Sequence, residues 1–566
     1  MAREVVDGGE AILEAFRNLG VDHIIASPGS EWPSMWEALA RQKINELPGP
    51  RYIDCWHETL AVTMAMGYTR VTGRLQAVLL HAGVGLLQGS LGIQGAYQGE
   101  VPMLICSGES ITNGDDPNFD PGGQWYRGLN VVGGANRWVE PFVKWSSHVN
   151  THLNLYETVS RAGEMAQRVP KGPTYLDIPI EVMLPEWTPP PRIGKVPAAP
   201  KMQPEAAAVA QVAQLLSSST NPVIITETSG RDVQAFEQLV RLAELLSIPV
   251  VESGPTYANF PKDHPLYMGT DVNAFRDRSD LFLIVGSKAP WYPPSAGPSS
   301  GTVVVIDDNP IKEHMIYQAL HADSYLEGDI GSILKLLADA VEAGGNVDSG
   351  TVKERRSHWQ AEHDKESQGI AAAVESAKTA SPIDPVWLCA ALNDVMPADT
   401  AYVNETITHG GAILRHIRWN QPQSYFRANG GLGVGLGTAL GVKLAMPQQP
   451  VVALMGDGSF LYNPVIQSFG VATQENLPIL IVVFNNGKYA AMKSSHLDFY
   501  PNGVAANSGV HHGVDIPGPN YAQLVEPFGG HGERVEDPAQ LKPALEKALE
   551  AVNSGKLAIL DVVLSA

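Results

Sequence analysis

Cysteine is scarce in this chain. Three are present among 566 residues, Cys55, Cys106 and Cys389, far apart and never in C-x-x-C spacing. That excludes a disulfide framework and a thiolate zinc site, and fits buried, reduced thiols. Positive charge is short as well: 39 Lys and Arg stand against 60 Asp and Glu, a net charge of −21. Such a surface repels nucleic acid and anionic membranes, so neither is expected as a partner, and any recognition of an anionic substrate must be local. No apolar run approaches the ~18 residues that cross a bilayer. The opening Met1-Ala2-Arg3-Glu4-Val5-Val6-Asp7 has no apolar signal core, so a cytoplasmic protein is expected. No short-period repeat is present, which excludes a solenoid.

What is present is an ordinary globular composition, 44% apolar and 17% charged, long enough for about three domains. Residues 184–204 carry seven prolines and read as an extended linker. Residues 344–365 are polar, with Gly345 and Gly350, and read as a second exposed connection passing into helix. The expected domains are therefore 1–184, 205–343 and 366–566. Each holds short apolar runs between helical patterns: Ile24 to Ser27, Ala77 to Leu80 and Pro102 to Cys106; then Pro222 to Ile225, Leu281 to Val285 and Val303 to Ile306; then Val451 to Met455, Ile479 to Phe484 and Leu557 to Val563. Strands alternating with helices predict an α/β fold of three doubly wound parallel sheets.

The last domain contains the most informative pattern. The run Val451 to Met455 ends in Gly456-Asp457-Gly458-Ser459-Phe460, and 26 residues separate Gly458 from Asn485-Asn486, which ends the second run. Residues 464–476 between them have helical length. A strand-helix-strand unit puts both strand ends at one sheet edge, where open α/β folds bind ligands. There Asp457 would face an asparagine, a hard oxygen set that leaves room for phosphate oxygens and water around an octahedral Mg²⁺. Gly456 and Gly458 would let backbone N–H groups approach a diphosphate, and the following helix would add its N-terminal partial charge.

This arrangement resembles the thiamine diphosphate (ThDP) dependent enzymes of the benzoylformate decarboxylase, pyruvate decarboxylase and acetolactate synthase group, whose motif is Gly-Asp-Gly followed at similar spacing by Asn-Asn. The resemblance spans essentially the whole chain. It implies the order pyrimidine-binding, central and diphosphate-binding domain. It also implies metal ligation by Asp457, Asn486 and the carbonyl of Lys488, with Gly456, Gly458 and Ser459 around the diphosphate. Glu58, opening the helical stretch that ends in Gly67-Tyr68, corresponds to the family's catalytic carboxyl, which hydrogen-bonds the aminopyrimidine and supports general acid-base catalysis through the cofactor. By position alone an acid there would only complement a helix dipole.

The glycine-dense Gly430 to Gly437 has no G-x-G-x-x-G register, so it is not a dinucleotide motif. The resemblance makes Leu432 the apolar wedge that bends ThDP, with the Gly430 carbonyl accepting from its amino group. Ser30 in Ser27-Pro28-Gly29-Ser30-Glu31, and His81 in His81-Ala82-Gly83, resemble substrate-contacting residues of benzoylformate decarboxylase; otherwise they are turn residues satisfying local backbone. Gln124 lies where acetolactate synthases place an active-site glutamine. Residues 494–513 would fold over the pocket as a lid, and His511-His512 within them form no metal motif. One departure is Ala289-Pro290-Trp291-Tyr292-Pro293, which lacks the decarboxylase's second histidine, a loss that would favour carbon–carbon bond formation over protonation.

The resulting expectation is a ThDP- and Mg²⁺-dependent enzyme that decarboxylates a 2-oxo acid, ligates the acyl unit to an aldehyde or other carbonyl compound, or both. It would work as a homodimer or homotetramer with active sites between subunits. The alternatives are an acetolactate synthase-like carboligase with FAD in its central domain, for which residues 205–340 show no flavin fingerprint, and a non-catalytic ThDP-binding subunit, against which Glu58 speaks.

Overall fold

A computed structural model describes residues 6–109, 125–345 and 348–565. Its seventeen described strands form three sheets in which every pairing is parallel. The first sheet contains β1 (His23–Ser27), β2 (Arg51–Asp54), β3 (Gln76–Leu80), β4 (Met103–Glu109), β5 (Trp145–His148) and β6 (Thr174–Pro179), in the order β2-β1-β3-β4-β6-β5. The second has β7 (Pro222–Thr226), β8 (Val250–Glu252), β9 (Leu281–Val285), β10 (Thr302–Asp307) and β11 (Ser324–Glu327), ordered β11-β10-β9-β7-β8. The third has β12 (Ala401–Glu405), β13 (Tyr425–Arg427), β14 (Val451–Gly456), β15 (Leu480–Asn485), β16 (His531–Val535) and β17 (Ala558–Val563), ordered β13-β12-β14-β15-β17-β16. The central strands β3, β7, β9 and β15 are buried at every position, as apolar runs covered by helices on both faces should be.

The chain divides into two compact units. One comprises residues 1–200, 428–448 and 461–478; the other comprises residues 201–427, 449–460 and 479–566. The first unit contains the β1–β6 sheet and the helix Glu58–Thr72, which packs along the helix Gly435–Ala445. Both helices owe this approach to glycine. A Cβ on Gly67 would sit 2.2 Å from the Thr438 carbonyl oxygen, and one on Gly441 2.0 Å from that of Met64. Backbone cannot yield as a side-chain tip can, so Gly441→Val should destabilise by at least the ~1–3 kcal/mol typical of overpacking; a lowered thermal midpoint checks this. The second unit contains the other two sheets, each with its own apolar core.

Two connections differ in part from the sequence reading. Residues 184–204 are extended, but they form a strap: the Trp187 N–H donates to the Val6 carbonyl at 2.8 Å and that of Val196 to Asn18 at 2.7 Å. The polar stretch expected to be a connection passing into helix is almost all helix, Ser349–Ala377, capped by Asp348. Of its 29 residues only Trp359 and Ala377 are buried, so it has no continuous apolar stripe from which a helix could be read.

Candidate functional site

In the second unit the Gly-Asp-Gly and Asn-Asn ends meet. Gly456 pairs in register with Phe484, so Asp457 and Asn485 leave adjacent strands at the same edge. The two asparagines then diverge. Asn485 donates to Asp561 Oδ1 on β17 at 2.7 Å, while Asp561 Oδ2 accepts from the Tyr521 N–H and from Arg534; Asn485 is a structural tie. Asn486 Oδ1 accepts from the Lys488 N–H at 3.1 Å, and its Nδ2 is buried without a hydrogen-bond partner.

Asp457 is buried. Its Oδ1 accepts from the Gly458 N–H at 2.8 Å, whereas its Oδ2 has no hydrogen-bond partner. Burial pushes its carboxyl above the ordinary aspartate range, and the N–H groups of Gly458, Gly487 and Lys488 pull it partly back. The Gly487 and Lys488 N–H groups themselves donate to the Asn485 and Asn486 side-chain oxygens at 3.1 Å each. Lys488 also pairs with Asp515: the Tyr489 N–H donates to Val514 and that of Ile516 to Gly487, a pattern that turns the Lys488 carbonyl away from residues 514–516. Near Asp457, the N–H groups stabilise negative charge, yet one buried carboxylate oxygen stays unpartnered, which is costly unless a cation or donor meets it. A carboxylate, an amide and a carbonyl fit Mg²⁺. Among the described residues no group of three or more His, Cys, Asp and Glu could hold a metal.

Glycine again makes space. A Cβ on Gly458 would meet the Tyr489 ring at 2.4 Å. The Ser459 hydroxyl lies 2.5 Å from the Glu405 carbonyl and 3.0 Å from that of Gly456, tying β12 to β14. One expectation is corrected: the helix meant to aim its N-terminus at the phosphates, Val465–Gln474, does not follow β14 directly, because the short helix Asp457–Tyr462 intervenes. The sequence reading also missed His409, just past the end of β12. It is buried, its Nε2 has no hydrogen-bond partner, and burial lowers its pKa, keeping it neutral.

In the first unit the other candidates gather at the C-terminal ends of β1, β2 and β3. Glu58 opens its helix, and the preceding His57 caps it by accepting from the Thr59 N–H at 3.1 Å. Gly85 leaves the space that the Glu58 carboxyl occupies, since a Cβ there would lie 3.2 Å from Oε1. Ser27 is level with Leu80, which puts the Ser30 turn beside His81. His81 Nδ1 lies 2.9 Å from Glu31 Oε2, and Glu31 Oε1 accepts from the Ala82 N–H at 2.8 Å. The Glu31 carboxyl is wholly buried in a niche made by two glycines: a Cβ on Gly29 would overlap the His81 ring, and one on Gly108 the Glu31 side chain. Glu31 was quoted in the sequence pattern but overlooked; an acid between a turn and Trp32 was the available signal.

The Glu31 hydrogen bond raises the His81 pKa against the opposing effect of burial. A histidine raised in the folded state gives stability that is full below its unfolded pKa and is lost as pH climbs through the folded value. Glu31→Gln should therefore lower the His81 pKa, which imidazole NMR titration would read, and cost about 1–3 kcal/mol through weakened buried hydrogen bonds.

Gly430, Gly431 and Gly433 have φ of +106°, +131° and +98°, and a Cβ on Gly430 would lie 2.7 Å from the Gly95 Cα. This segment carries the half-buried Leu432 into the helix Gly435–Ala445, whose Leu436 N–H donates to Asn463 at 3.0 Å. Gln124 lies outside the described residues. Residues 494–513 fall largely on two exposed helices, Ala490–Phe499 and Val504–Ser508, with Phe499 and Tyr500 turned outward. No described helix is long and apolar enough to cross a membrane.

Family models match along the chain in order: the thiamine pyrophosphate enzyme N-terminal TPP binding domain at residues 6–124, the central domain at 209–337 and the C-terminal TPP binding domain at 408–562. Acetolactate synthase large subunit IlvG of Mycobacterium tuberculosis is 27% identical, covering 99% of this chain and 96% of its own. Benzoylformate decarboxylase of Pseudomonas aeruginosa is 26% identical over 96% of each. Among solved structures, 4-hydroxybenzoylformate decarboxylase of Rhodococcus jostii RHA1 is 25% identical with a TM-score of 0.77, covering 99% of both chains. Benzoylformate decarboxylase of Polynucleobacter necessarius shares the fold at a TM-score of 0.78, with 22% identity over 99% of this chain and 98% of that one.

Fold and matches together define a three-sheet α/β protein of the ThDP-using class. The chain belongs to the thiamine pyrophosphate enzyme family, which includes decarboxylases and acetolactate synthases.

Proposed function

We propose that this protein is a ThDP- and Mg²⁺-dependent enzyme that decarboxylates a 2-oxo acid, joins the acyl unit to a second carbonyl compound, or does both. The observation that carries this reading is the buried, unpartnered Oδ2 of Asp457 beside the Asn486–Lys488 turn. ThDP when bound supplies a carbon nucleophile and an electron sink for the carboxylate's departing electrons. The chain's own residues have distinct tasks. Asp457, the Asn486 amide oxygen and the Lys488 carbonyl hold the metal, with Gly456, Gly458 and Ser459 lining the diphosphate. Glu58 shares a proton with the aminopyrimidine ring, Leu432 props the cofactor from its apolar side, and the Gly430 carbonyl accepts from its amino group. His81, fixed by Glu31, moves a proton at the substrate, Ser30 touches the carboxylate, and Gln124 orients an acceptor carbonyl. The working form is a cytoplasmic homodimer or homotetramer.

The FAD alternative gains no support. The edge where a central-domain diphosphate would bind presents Glu227, Asp307 and Asp308 paired with Lys288, Lys312 and Arg231, so these cations are already engaged by carboxylates. A purified protein with flavin absorbance would reverse that judgement. The main test supplies ThDP and Mg²⁺ with a panel of 2-oxo acids and aldehydes and identifies products by mass spectrometry, comparing aldehyde release with acyloin formation. No turnover on any of them, with cofactor bound, would sink the proposal.

A further inference from the structure

A cleft of about 1140 Å³ opens at the N-terminal edge of the first sheet, the opposite edge from Ser30, Glu58 and His81. Its walls are the end of the helix Gly8–Leu19, the loop at 47–49, the end of the helix Glu58–Thr72 and residues 195–198 of the proline-rich strap. Its volume slightly exceeds the roughly 300–1,000 Å³ usual for small-molecule sites, so a small ligand would fill only part of it.

One wall is a connected polar network. Arg74 Nη1 lies 3.0 Å from Asp22 Oδ1, and its Nη2 donates to the Tyr68 hydroxyl at 3.2 Å. That hydroxyl donates in turn to Asp22 Oδ2 at 3.3 Å. Gln76 donates to the same Oδ2 at 3.2 Å and accepts from the His23 N–H at 2.8 Å. The His23 ring stands edge-on to Tyr68 at 4.8 Å, and its Nδ1 is buried without a hydrogen-bond partner. Burial pushes His23 down to about 4 against the opposing charge of Asp22, with Arg51 and Arg74 adding to the fall, so the ring is neutral near pH 7. The apolar part of the lining is Leu19, Val21, Leu75 and Val196.

Charge selects the ligand. Arg17, Arg74 and Lys195 face Glu14 and Asp22 in a chain of net charge −21. Arg17 is engaged by Glu10 and Glu14, whereas Lys195 is in no ion pair among the described residues. Arg74 is likewise engaged by Asp22, so Lys195 is the cation left over; one negative charge balances it, and a dianion such as a phosphate monoester would be repelled by the neighbouring carboxylates. The geometry points to a site for a small amphipathic monocarboxylate, its anionic end on Arg74 and Lys195 and its alkyl body against Leu19, Val21 and Val196. This site is separate from the catalytic edge and does not depend on the proposed reaction.

Calorimetric titration of the ThDP- and Mg²⁺-loaded protein with hexanoate and with hexanamide tests it. Hexanoate should bind, and the neutral amide should bind at least about tenfold more weakly. Val196→Trp, which fills the cleft from the strap, should abolish hexanoate binding. Arg74→Gln, a change at an exposed side chain, should weaken it by about tenfold or more, with ThDP affinity and basal turnover unchanged in both variants. Absence of hexanoate binding to the unaltered protein would overturn the inference. So would undiminished binding to the Val196→Trp variant, which would place the carboxylate elsewhere.

Discussion

Replacing Asp457 by alanine should abolish the rise in melting temperature that ThDP and Mg²⁺ give the unaltered protein, while the melting temperature of the cofactor-free form stays the same or increases. The asymmetry follows from the geometry. Without cofactor, Asp457 is a buried carboxyl with one oxygen unpartnered, so removing it deletes a desolvation cost that offsets the loss of its one hydrogen bond, from the Gly458 N–H. With cofactor, on the proposed reading, it would be the charged arm of the metal clamp, and truncating one partner of a buried charged contact costs about 2–5 kcal/mol, roughly 30-fold to several-thousand-fold in affinity. A ligand present at 100 times its Kd stabilises by about 2.7 kcal/mol, and that increment is what the variant loses.

The pH dependence has a definite sign. Burial raises the Asp457 pKa in the folded state, so the cofactor-free fold binds its proton more tightly than the unfolded chain does. This contribution to folding stability is present below the unfolded value and is lost as pH rises through the folded one. Metal binding needs the carboxylate. Affinity for Mg²⁺ and ThDP should therefore climb with pH through a window above the ordinary aspartate range, and Asp457→Ala should flatten that climb. A steep climb surviving in the variant would mean that another group controls the metal.

That the Gly-Asp-Gly and Asn-Asn segments share one sheet edge was legible in sequence because both are ends of buried strands, and fully apolar runs such as Val451 to Met455 and Leu281 to Val285 declare themselves. Strands at sheet edges did not. Arg51–Asp54 is half exposed and charged at both ends, and Tyr425–Arg427 has three residues, too few for a period. The helix Ser349–Ala377 was only half seen because almost none of it is buried. At the candidate site, Glu58 and His81 were named through the family resemblance, since position alone would make the first a helix-dipole complement and the second a turn residue. Residues whose meaning lies in a partner were missed: Glu31 matters through His81 Nδ1, which is fifty positions away. Nor could the sequence separate Asn485 from Asn486 by geometry, since only the bond to Asp561 reserves the first for structure. The long-range contact between the helices Glu58–Thr72 and Gly435–Ala445 was invisible for the same reason, although Gly67 and Gly441 mark it once the helices are paired.

Glu58→Gln should leave folding and cofactor binding nearly intact and cut turnover by about 10²- to 10⁴-fold, the usual range for a positioned proton-transfer group. The amide fills the same volume beside Gly85, and helix entry is secured separately by His57. One neutral hydrogen bond contributes about 0.5–1.5 kcal/mol, so ThDP affinity should fall by no more than about tenfold. What the amide cannot do is share a proton with the pyrimidine ring. The loss should therefore appear in proton exchange at the cofactor's reactive carbon, followed by quenched-flow NMR, and to the same extent in turnover. Gly85→Ala offers an independent check without touching the carboxyl. Its Cβ would stand 3.2 Å from Glu58 Oε1, close enough to displace the carboxyl by tenths of an ångström, and misplacement of a catalytic group lowers rate more than affinity. Slowed exchange in both variants, with cofactor affinity nearly retained, would identify Glu58 as the group that moves the proton. Unchanged exchange in Glu58→Gln would refute that assignment.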